Sequence, residues 1–393
     1  MNDGRGRFMF KIVNEFPHDL ILNAEEGPFI SIYQPSERAN FTNRQDLIRY
    51  KNALRKVENS LKMKYPKRDI KEIMKPLVDL GEDRLFWNSV HDGLGILLAE
   101  GELLVYNLKR PVKELVVVSD SFHIKPLIRN FQSADRYHLL GLSRKEFALY
   151  EGNRYGFEEI ELPEDTPKTV EEALGDKYTD SHLTIGSAGR FGAGGGTPLY
   201  HGSGGKKDEI QIDIERFFRY VDRFVLNEYS NPTGLPLILV ALDEYHGVFK
   251  EISHNKYLLD DGIKTNYESI KTQDLRETVW EKLEPLYLKE TEKLIDRFEE
   301  SRANDQGSED LVQVARAAIG NRIDTLIIEA DRVIPGRLNK ENGEIEEGKL
   351  KDPEIDDVLD DIAEMVFKYQ GEVIVLPKER MPSDTGVAAT YRY

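Results

Sequence analysis

The sequence predicts a mixed α/β (α+β) protein with two or three domains, and three observations support this. Apolar runs typical of buried strands alternate with segments whose apolar residues recur at helical three- and four-residue steps. The middle of the chain adds three strand-like runs, a helix and a buried strand, and such alternation is typical of layered α/β domains. The 393 residues also correspond to two or three domains at about 150 residues each.

The composition indicates a folded and acidic protein. Hydrophobic residues make up 39% of the chain and charged residues 32%, which is too much apolar material for a disordered protein. The formal net charge of −17 opposes non-specific wrapping of nucleic acid. Any contact with RNA must therefore be local.

The absence of cysteine excludes disulfides, a thiolate nucleophile, an iron–sulfur cluster and thiolate zinc ligands. We expect no metal and no cofactor. The first residues, MNDGRGRFMFKIVNEF, lack the apolar core of a signal peptide, and no apolar run reaches the length of about 18 residues that spans a membrane. The expected location is the cytoplasm, without a membrane partner.

The N-terminal third begins with a strand and a long helix. Residues 29–33 (FISIY) read as a strand closed by Pro35, and Asn43 is placed to cap a helix whose apolar stripe starts at Leu47. Further along, residues 93–99 and 102–107 read as a hairpin.

A third strand and a short helix follow this hairpin. The strand is predicted at residues 114–118, and Asp120 or Ser121 would cap the helix. His123 lies at the start of this helix, where a lone histidine is more often structural than catalytic.

Positive charge is concentrated between residues 44 and 75. This stretch holds eleven Lys or Arg and four acids, a balance of +7, so the rest of the chain sums to −24. One interpretation is a solvated helical face. The other is a site for RNA phosphates. We call its candidate residues the basic patch, which consists of Arg44, Arg49, Lys51, Arg55 and Lys56.

The middle third carries a predicted meander and a glycine-rich loop. Strands are expected at residues 137–142, 146–150 and 157–162, with a short helix at 170–174. The loop, residues 186–207, contains nine glycines, which can adopt positive φ at low steric cost. After it, a helix from about Asp208 to Tyr229 and a buried strand at 236–242 are expected.

The loop does not fit a nucleotide-binding motif. A phosphate-binding loop needs a glycine at position 200 and a hydroxyl after the lysine, but Tyr200 and Lys207 stand there. A surface linker and an arm that orders on RNA both remain consistent with the sequence. The candidate residues in the loop are Arg190, Gly194, Gly195, Gly196, Thr197, His201, Lys206 and Lys207.

The C-terminal third predicts a three-layer α/β sandwich. It contains a long charged helix, or a pair broken at Pro285, and further helices at residues 311–319 and 355–369. Strands are expected at 322–331, 372–376 and 386–391. Eleven acids between Asp331 and Asp361 suggest a solvated loop that repels RNA and faces solvent or a protein.

Five segments, in this order, resemble the archaeo-eukaryotic release factor and Pelota superfamily, and in particular its bacterial branch. The resemblance covers the chain from about Gly27 to its end. No single segment is diagnostic, but their order is. They are FISIYQP (29–35), TNRQDLIRYKNALRKVENSL (42–61), VVVSDSFHIKPLI (116–128), RIDTLIIEAD (322–331) and TGVAATYRY (385–393).

This resemblance implies three domains that act on the ribosome. Residues 1–132 would form an RNA-binding-type domain, residues 133–268 an RNase-H-like domain, and residues 269–393 an α/β/α domain similar to kink-turn-binding ribosomal proteins. The implied partners are rRNA and tRNA, with an elongation-factor GTPase as a further candidate. No DNA partner is expected.

Two departures from the family pattern bear on activity. The family's central loop carries Gly-Gly-Gln, which places a water against the peptidyl-tRNA ester, but here Thr197 follows the glycines and no glutamine occurs from 133 to 210. The decoding tetrapeptide Asn-Ile-Lys-Ser is replaced by Asn43-Arg44-Gln45-Asp46. Stop-codon reading is therefore in doubt.

Three hypotheses follow. The leading one is a non-catalytic factor that occupies the A site of vacant or stalled ribosomes, in hibernation or rescue. The competing one is a peptidyl-tRNA hydrolase that uses loop amides and His201. The third is a metal-dependent RNA nuclease that uses Asp222, Asp243 and Glu244, although exposed helix ends explain these acids more simply.

Overall fold

The computed structural model describes residues 10–13, 16–36, 44–89, 93–132, 135–175, 178, 203–266, 268, 272–348 and 355–393. The chain forms two compact units. Unit 1 combines Met1–Gln132 with Leu288–Tyr393, and unit 2 is Ser133–Tyr287. The predicted mixed α/β class is confirmed. Within the described ranges, no helix has the length and apolar character needed to cross a membrane.

The N-terminal segment of unit 1 is built on a five-stranded sheet with the strand order β1-β4-β3-β2-β5. Its edge strand β1 runs parallel to β4, and the other pairs are antiparallel. The elements are β1 (Lys11–Ile12), α1 (Asp19–Asn23), β2 (Phe29–Pro35), α2 (Arg44–Lys64), α3 (Ile70–Glu82), α4 (Arg84–Ser89), β3 (Gly93–Ala99), β4 (Glu102–Leu108), β5 (Leu115–Ser119) and α5 (Lys125–Phe131).

Strand β2, which lies between β3 and β5, is buried because both of its faces are covered. Ile30 and Ile32 pack against α2 and α3, where the side chains of Tyr50 and Leu77 are fully buried. Tyr33, on the opposite face, packs in a second core together with residues of the C-terminal segment. The predicted hairpin of β3 and β4 is confirmed, and it turns through two residues with positive φ, Glu100 and Gly101.

Unit 2 is built on the strand order β10-β9-β6-β7-β8. The predicted meander of β6, β7 and β8 is confirmed, and β9 joins it parallel to β6. The predicted helix to Tyr229 instead ends at Val225 and continues as a π-helical turn at Leu226–Ser230. The elements are β6 (Tyr137–Leu142), β7 (Phe147–Asn153), β8 (Gly156–Glu159), α6 (Val170–Leu174), α7 (Ser203–Val225), α8 (Asn231–Thr233), β9 (Leu237–Ala241), α9 (Asp243–Ile252), β10 (Ile263–Lys264) and α10 (Thr272–Ala303).

Both faces of the unit 2 sheet are covered by helices. Leu140 packs with Phe217 of α7 and Phe249 of α9 on one face, and Leu139 packs with Val279 of α10 on the other. Helix α10 continues through Pro285, so the single-helix interpretation is correct and the broken pair is wrong.

The C-terminal segment of unit 1 forms a sheet with the order β11-β17-β12-β16, in which β12 and β16 are parallel. A small sheet with the strand order β14-β13-β15 is formed by residues between β12 and α12. The elements are β11 (Gly307–Ser308), α11 (Leu311–Ile319), β12 (Ile323–Glu329), β13 (Pro335–Leu338), β14 (Ile345–Glu347), β15 (Asp356–Asp357), α12 (Val358–Lys368), β16 (Glu372–Leu376) and β17 (Val387–Tyr391).

Alternate residues of β12 pack on opposite sides of this sheet. Leu326 and Ile328 face α11 and α12 in the core shared with β2, whereas Ile327 packs against Phe298 of α10. The predicted helix at 311–319 is confirmed, and the side chain of Asp310 caps it by accepting from the amide of Gln313 at 2.9 Å. The segment is therefore a sheet between helices.

A buried polar cluster joins the two segments of unit 1. We call it the seam cluster, and it consists of His123, Lys125, Asp357 and Asp360, all less than a tenth exposed. The ammonium of Lys125 donates to the carboxylate of Asp357 and, at 2.7 Å, to the carbonyl of Arg332. Because a buried charge is costly without a partner, each side of the cluster requires the other.

Asp360 also caps α5 from the other segment. Its carboxylate accepts from the amides of Ile124 at 3.0 Å and Lys125 at 2.6 Å, across 236 residues in the first case. The predicted cap by Asp120 or Ser121 is wrong, because α5 begins later, at Lys125. The cap therefore comes from tertiary structure.

The expectation that the acidic stretch before α12 is solvated is also wrong at its end. Asp357, Asp360 and Asp361 are buried, because they accept hydrogen bonds from backbone amides. Across the same seam, the side-chain amide of Gln132 donates to the carbonyl of Val375 and accepts from its N–H, both at 2.9 Å. This exchange covers the outer edge of β16.

His123 is buried in the seam cluster, and its backbone is bonded to β2. Its backbone N–H donates to the hydroxyl of Ser31 at 3.0 Å, and its carbonyl accepts from the hydroxyl of Tyr33 at 2.6 Å. Its Nδ1 atom lies 3.5 Å from Asp360 Oδ2 and 3.9 Å from Asp356 Oδ1. Burial lowers the pKa of His123, and burial together with Asp356 raises the pKa of Asp360 well above its usual range.

We expect Lys125→Met to reduce the free energy of unfolding by about 3–5 kcal/mol, because it leaves buried Asp357 without its cation. Urea unfolding measures this loss. The matched control is Lys113→Met, which removes an exposed pair 3.1 Å from Asp331 in the same unit and costs less than about 1 kcal/mol. Equal losses in the two variants would contradict the assigned role of the seam.

We expect acid to destabilise the native protein relative to His123→Gln. Because burial holds the pKa of His123 below 6.5, the unfolded chain binds a proton first as the pH falls. The contribution of the buried neutral imidazole to the free energy of unfolding is complete above pH 6.5. It is lost as the pH falls below this value, with a slope of at most about 1.4 kcal/mol per pH unit.

Urea unfolding of both proteins across the range from about pH 7.5 to 5.5 measures this difference. Because Asp360 lies 3.5 Å from the imidazole, the same comparison in an Asp360→Asn background isolates the contribution of His123. If the difference in the free energy of unfolding between the two proteins does not change with pH, the pKa of His123 is the same in the folded and unfolded states, which contradicts this prediction.

Candidate nucleic-acid interface

Helix α2 presents the exposed members of the basic patch. Its residues Tyr50, Val57 and Leu61 are buried against the sheet, which turns the opposite side of the helix toward solvent. Lys51, Arg55 and Lys56 lie on that exposed side, Lys51 and Arg55 about one helical turn apart. Arg44 begins the helix, and its side chain lies outside the described residues.

Arg49 differs from the other members of the patch because its charge is already neutralised. Its guanidinium lies 3.0 Å from the carboxylate of Asp46 and 3.4 Å from that of Glu114 on the approach to β5. Asp46 is buried and also accepts from the hydroxyl of Ser36 at 2.7 Å. Arg49 therefore fixes the start of α2 more than it offers charge to a ligand.

Lys51 and Lys56 have no ion-pair partner among the residues that the structure describes. Among the described residues, the guanidinium of Arg55 donates to the side-chain oxygen of Asn52, three residues earlier on α2, at 3.4 Å. By contrast, Lys62 pairs with Glu58 at 2.6 Å. The uncompensated charge on α2 is therefore concentrated at Lys51, Arg55 and Lys56, and three such cations suit the phosphates of a nucleic acid.

Two apolar side chains on the same exposed side were missed by sequence reasoning. Ile48 is 58% exposed and Met63 is 59% exposed, and 15 residues of helix place them about 22 Å apart on either side of the cations. Their exposure could have been predicted from the sequence, because both residues fall outside the apolar stripe of α2. They add apolar contact area to a surface that is otherwise cationic.

Most of the glycine-rich loop lies outside the described residues. This holds for Arg190, Gly194, Gly195, Gly196, Thr197 and His201. The backbone of Lys206 and Lys207 belongs to the start of α7, which begins at Ser203 and not at the expected Asp208. Their side chains are outside the described residues as well.

Two of the three acids of the nuclease hypothesis, Asp222 and Asp243, have structural partners. Asp222 accepts from the hydroxyl of Ser253 and from the amide of His254, at 2.9 Å in the second case. Asp243 pairs with Lys264 at 2.7 Å on the surface. In the ranges that the structure describes, no three acids or histidines are arranged to hold a metal ion.

Comparison with known proteins finds one matching family model. Residues 136–322 match the model of bacterial archaeo-eukaryotic release factor family 3. This segment is therefore release-factor-like, and the resemblance to the bacterial branch of the superfamily, expected from the sequence, is confirmed. No curated protein matches the chain.

The chain also matches solved structures at low similarity, among them those of three proteins. Archaeal termination factor aRF1 is 13% identical, with 93% of this chain and 92% of that chain covered and a TM-score of 0.27. Archaeal Pelota, in a ribosome-bound structure with ABCE1, is 15% identical (77% and 83% covered, TM-score 0.38). Dom34 of S. cerevisiae, described as interacting with Hbs1, is 12% identical (77% and 79% covered, TM-score 0.38).

Proposed function

We propose that this protein binds the A site of vacant or stalled ribosomes without reading stop codons and without hydrolysing peptidyl-tRNA. The observation that carries the proposal is the match of residues 136–322 to a release-factor family combined with the lack of any glutamine from 133 to 210. A factor of this type keeps the means of ribosome binding and lacks the side chain that places the hydrolytic water.

The basic patch supplies the ribosome contact in this proposal. Lys51, Arg55 and Lys56 are exposed and uncompensated on a chain with a net charge of −17, so attraction to a polyanion is confined to their surroundings. Phosphate contacts of this kind position a protein on RNA without reading its sequence. This behaviour agrees with a loss of stop-codon recognition, since Arg44-Gln45-Asp46 replaces the decoding residues.

The glycine-rich loop supplies the second contact. Arg190, His201, Lys206 and Lys207 give it positive charge next to glycines that let its backbone approach RNA closely. In the proposal this loop orders against tRNA or rRNA near the peptidyl-transferase centre. Delivery by an elongation-factor GTPase is part of the same proposal, and no metal or cofactor takes part.

We expect Lys51→Glu/Arg55→Glu/Lys56→Glu to weaken sedimentation with 70S ribosomes by about tenfold or more at moderate salt, because each reversal removes a phosphate contact. The logarithm of affinity decreases with the logarithm of salt concentration, and this dependence should become less steep by about 3. Sedimentation at several salt concentrations measures both quantities.

The matched control is Lys289→Glu/Lys293→Glu/Arg297→Glu, which reverses the same types of cation on an exposed side of α10. Two of these cations are already paired, Lys293 with Glu290 at 2.6 Å and Arg297 with Asp324 at 2.7 Å. The control should retain ribosome binding within about twofold. Equal loss in both triple variants would assign the effect to net charge and refute the patch.

We expect the native protein to release no labelled peptide from stalled ribosomes, and Thr197→Gln to gain release, because it places a glutamine after Gly195 and Gly196. The amount of released peptide, measured by filter binding or on a gel, distinguishes the non-catalytic factor from the peptidyl-tRNA hydrolase. Release by the native protein that Gly195→Ala abolishes would favour the hydrolase and contradict the non-catalytic proposal.

A further inference from the structure

The exposed side of α2 carries a line of uncharged residues along its length. Ile48, Asn52, Asn59 and Met63 are all exposed, and they follow one another at steps of four, seven and four residues. Because an α-helix has about 3.6 residues per turn, such steps keep the four side chains on one face of the helix. We call these four residues the uncharged line.

Cations lie on both flanks of the uncharged line. Arg55 and Lys56 are neighbours in sequence, so they diverge by about 100° around the helix axis and lie on opposite flanks. Lys56 shares its flank with Arg49, seven residues earlier, which pairs with Glu114 on the approach to β5. Lys51 precedes Arg55 by four residues and shares the other flank. The positive charge therefore borders the line on each side.

The excess of positive charge belongs to α2 itself. The helix holds seven Lys or Arg and two acids. Of these acids, Asp46 is buried and Glu58 pairs with Lys62 at 2.6 Å. The neighbouring helix α3 holds two lysines and three acids, so it adds no positive excess. The exposed side of α2 therefore suits an anionic ligand.

The side chains on this surface favour an RNA duplex over a single strand. Proteins that bind single-stranded RNA stack its bases on aromatic side chains. Helix α2 contains one aromatic residue, Tyr50, which is buried and donates to the carbonyl of Leu77 at 2.8 Å. Asn52 and Asn59 offer amide groups that both donate and accept, as a ribose 2′-hydroxyl does. Such a surface fits recognition by shape and by 2′-hydroxyls.

We propose that the exposed side of α2 lies along the minor groove of an A-form RNA duplex. This groove is wide and shallow and displays 2′-hydroxyls, so a helix about 10–12 Å across can rest on it. Lys51 and Arg55 would contact the phosphates of one strand and Lys56 those of the other, with the uncharged line over the 2′-hydroxyls. The 21 residues of α2 make this contact about 30 Å long.

The duplex site rests on the proposed function and specifies the class of RNA that the basic patch would bind. Phosphate contacts alone position a protein without selecting among RNA structures, whereas the uncharged line would add a preference for duplex rRNA. The minor groove of B-form DNA, about 6 Å wide, is too narrow for a helix. Its major groove, about 12 Å wide, does admit one, so a DNA duplex is the alternative ligand in the test.

Fluorescence anisotropy with the full-length protein tests the duplex site. The labelled probes are an RNA duplex of about 16 base pairs, one of its strands alone, and a DNA duplex of the same sequence. We expect the RNA duplex to bind about tenfold tighter or more than either other probe. Asn52→Ala/Asn59→Ala should reduce this preference to about threefold or less. The salt dependence of affinity should stay the same, because no charge is removed.

The matched control is Asn227→Ala/Asn231→Ala, which makes the same change at two exposed asparagines of unit 2. It should retain both the affinity and the preference within about twofold. Alanine has a higher helix propensity than asparagine, so α2 stays folded in the test variant. Equal binding of the three probes, tighter binding of the DNA duplex, or equal loss in the two double variants would each overturn the proposal.

Sedimentation separates this outcome from the proposed function. If ribosome binding depends on Lys51, Arg55 and Lys56 but the preference for the RNA duplex is absent, only the duplex site is refuted. If the protein prefers the RNA duplex but does not sediment with ribosomes, the duplex site stands and the ribosomal target is refuted.

Discussion

The structure of unit 1 depends on the charged groups buried where its two segments meet. Asp357 and Asp360 are stable in the interior because Lys125 and the amides at the start of α5 satisfy them. This arrangement requires residues from both ends of the chain, so neither segment can bury its part of the cluster alone. His123 extends the cluster to β2 through Ser31, and β2 in turn carries α2. The basic patch is therefore anchored to the C-terminal segment.

Local sequence signals predicted most of the elements, and long-range pairing explains what they missed. The hairpin of β3 and β4 and the helix α11 follow from periodicity and turn residues within the elements themselves. The burial of Asp360 does not, because its partners lie more than 200 residues away in sequence. A run of acids reads as a solvated loop unless those partners are known. The cap of α5 was misassigned for the same reason.

The same limit applies to the candidate sites. The basic patch was predicted from the number of charged residues in the sequence. Such a count cannot distinguish Arg49 from Lys51, because each contributes one positive charge. They differ in the structure because Glu114, which is distant in sequence, joins Asp46 beside Arg49.

In the proposed function, the concentration of exposed positive charge on α2 explains how an acidic protein would recognise a polyanion. Screening at physiological salt limits the reach of an exposed charge to about 8 Å, so a phosphate near Lys51 or Lys56 responds to its immediate surroundings and hardly to the net charge of −17. The excess of acid elsewhere then disfavours RNA on other surfaces and confines binding to one orientation. In that proposal, charge segregation serves selectivity more than affinity.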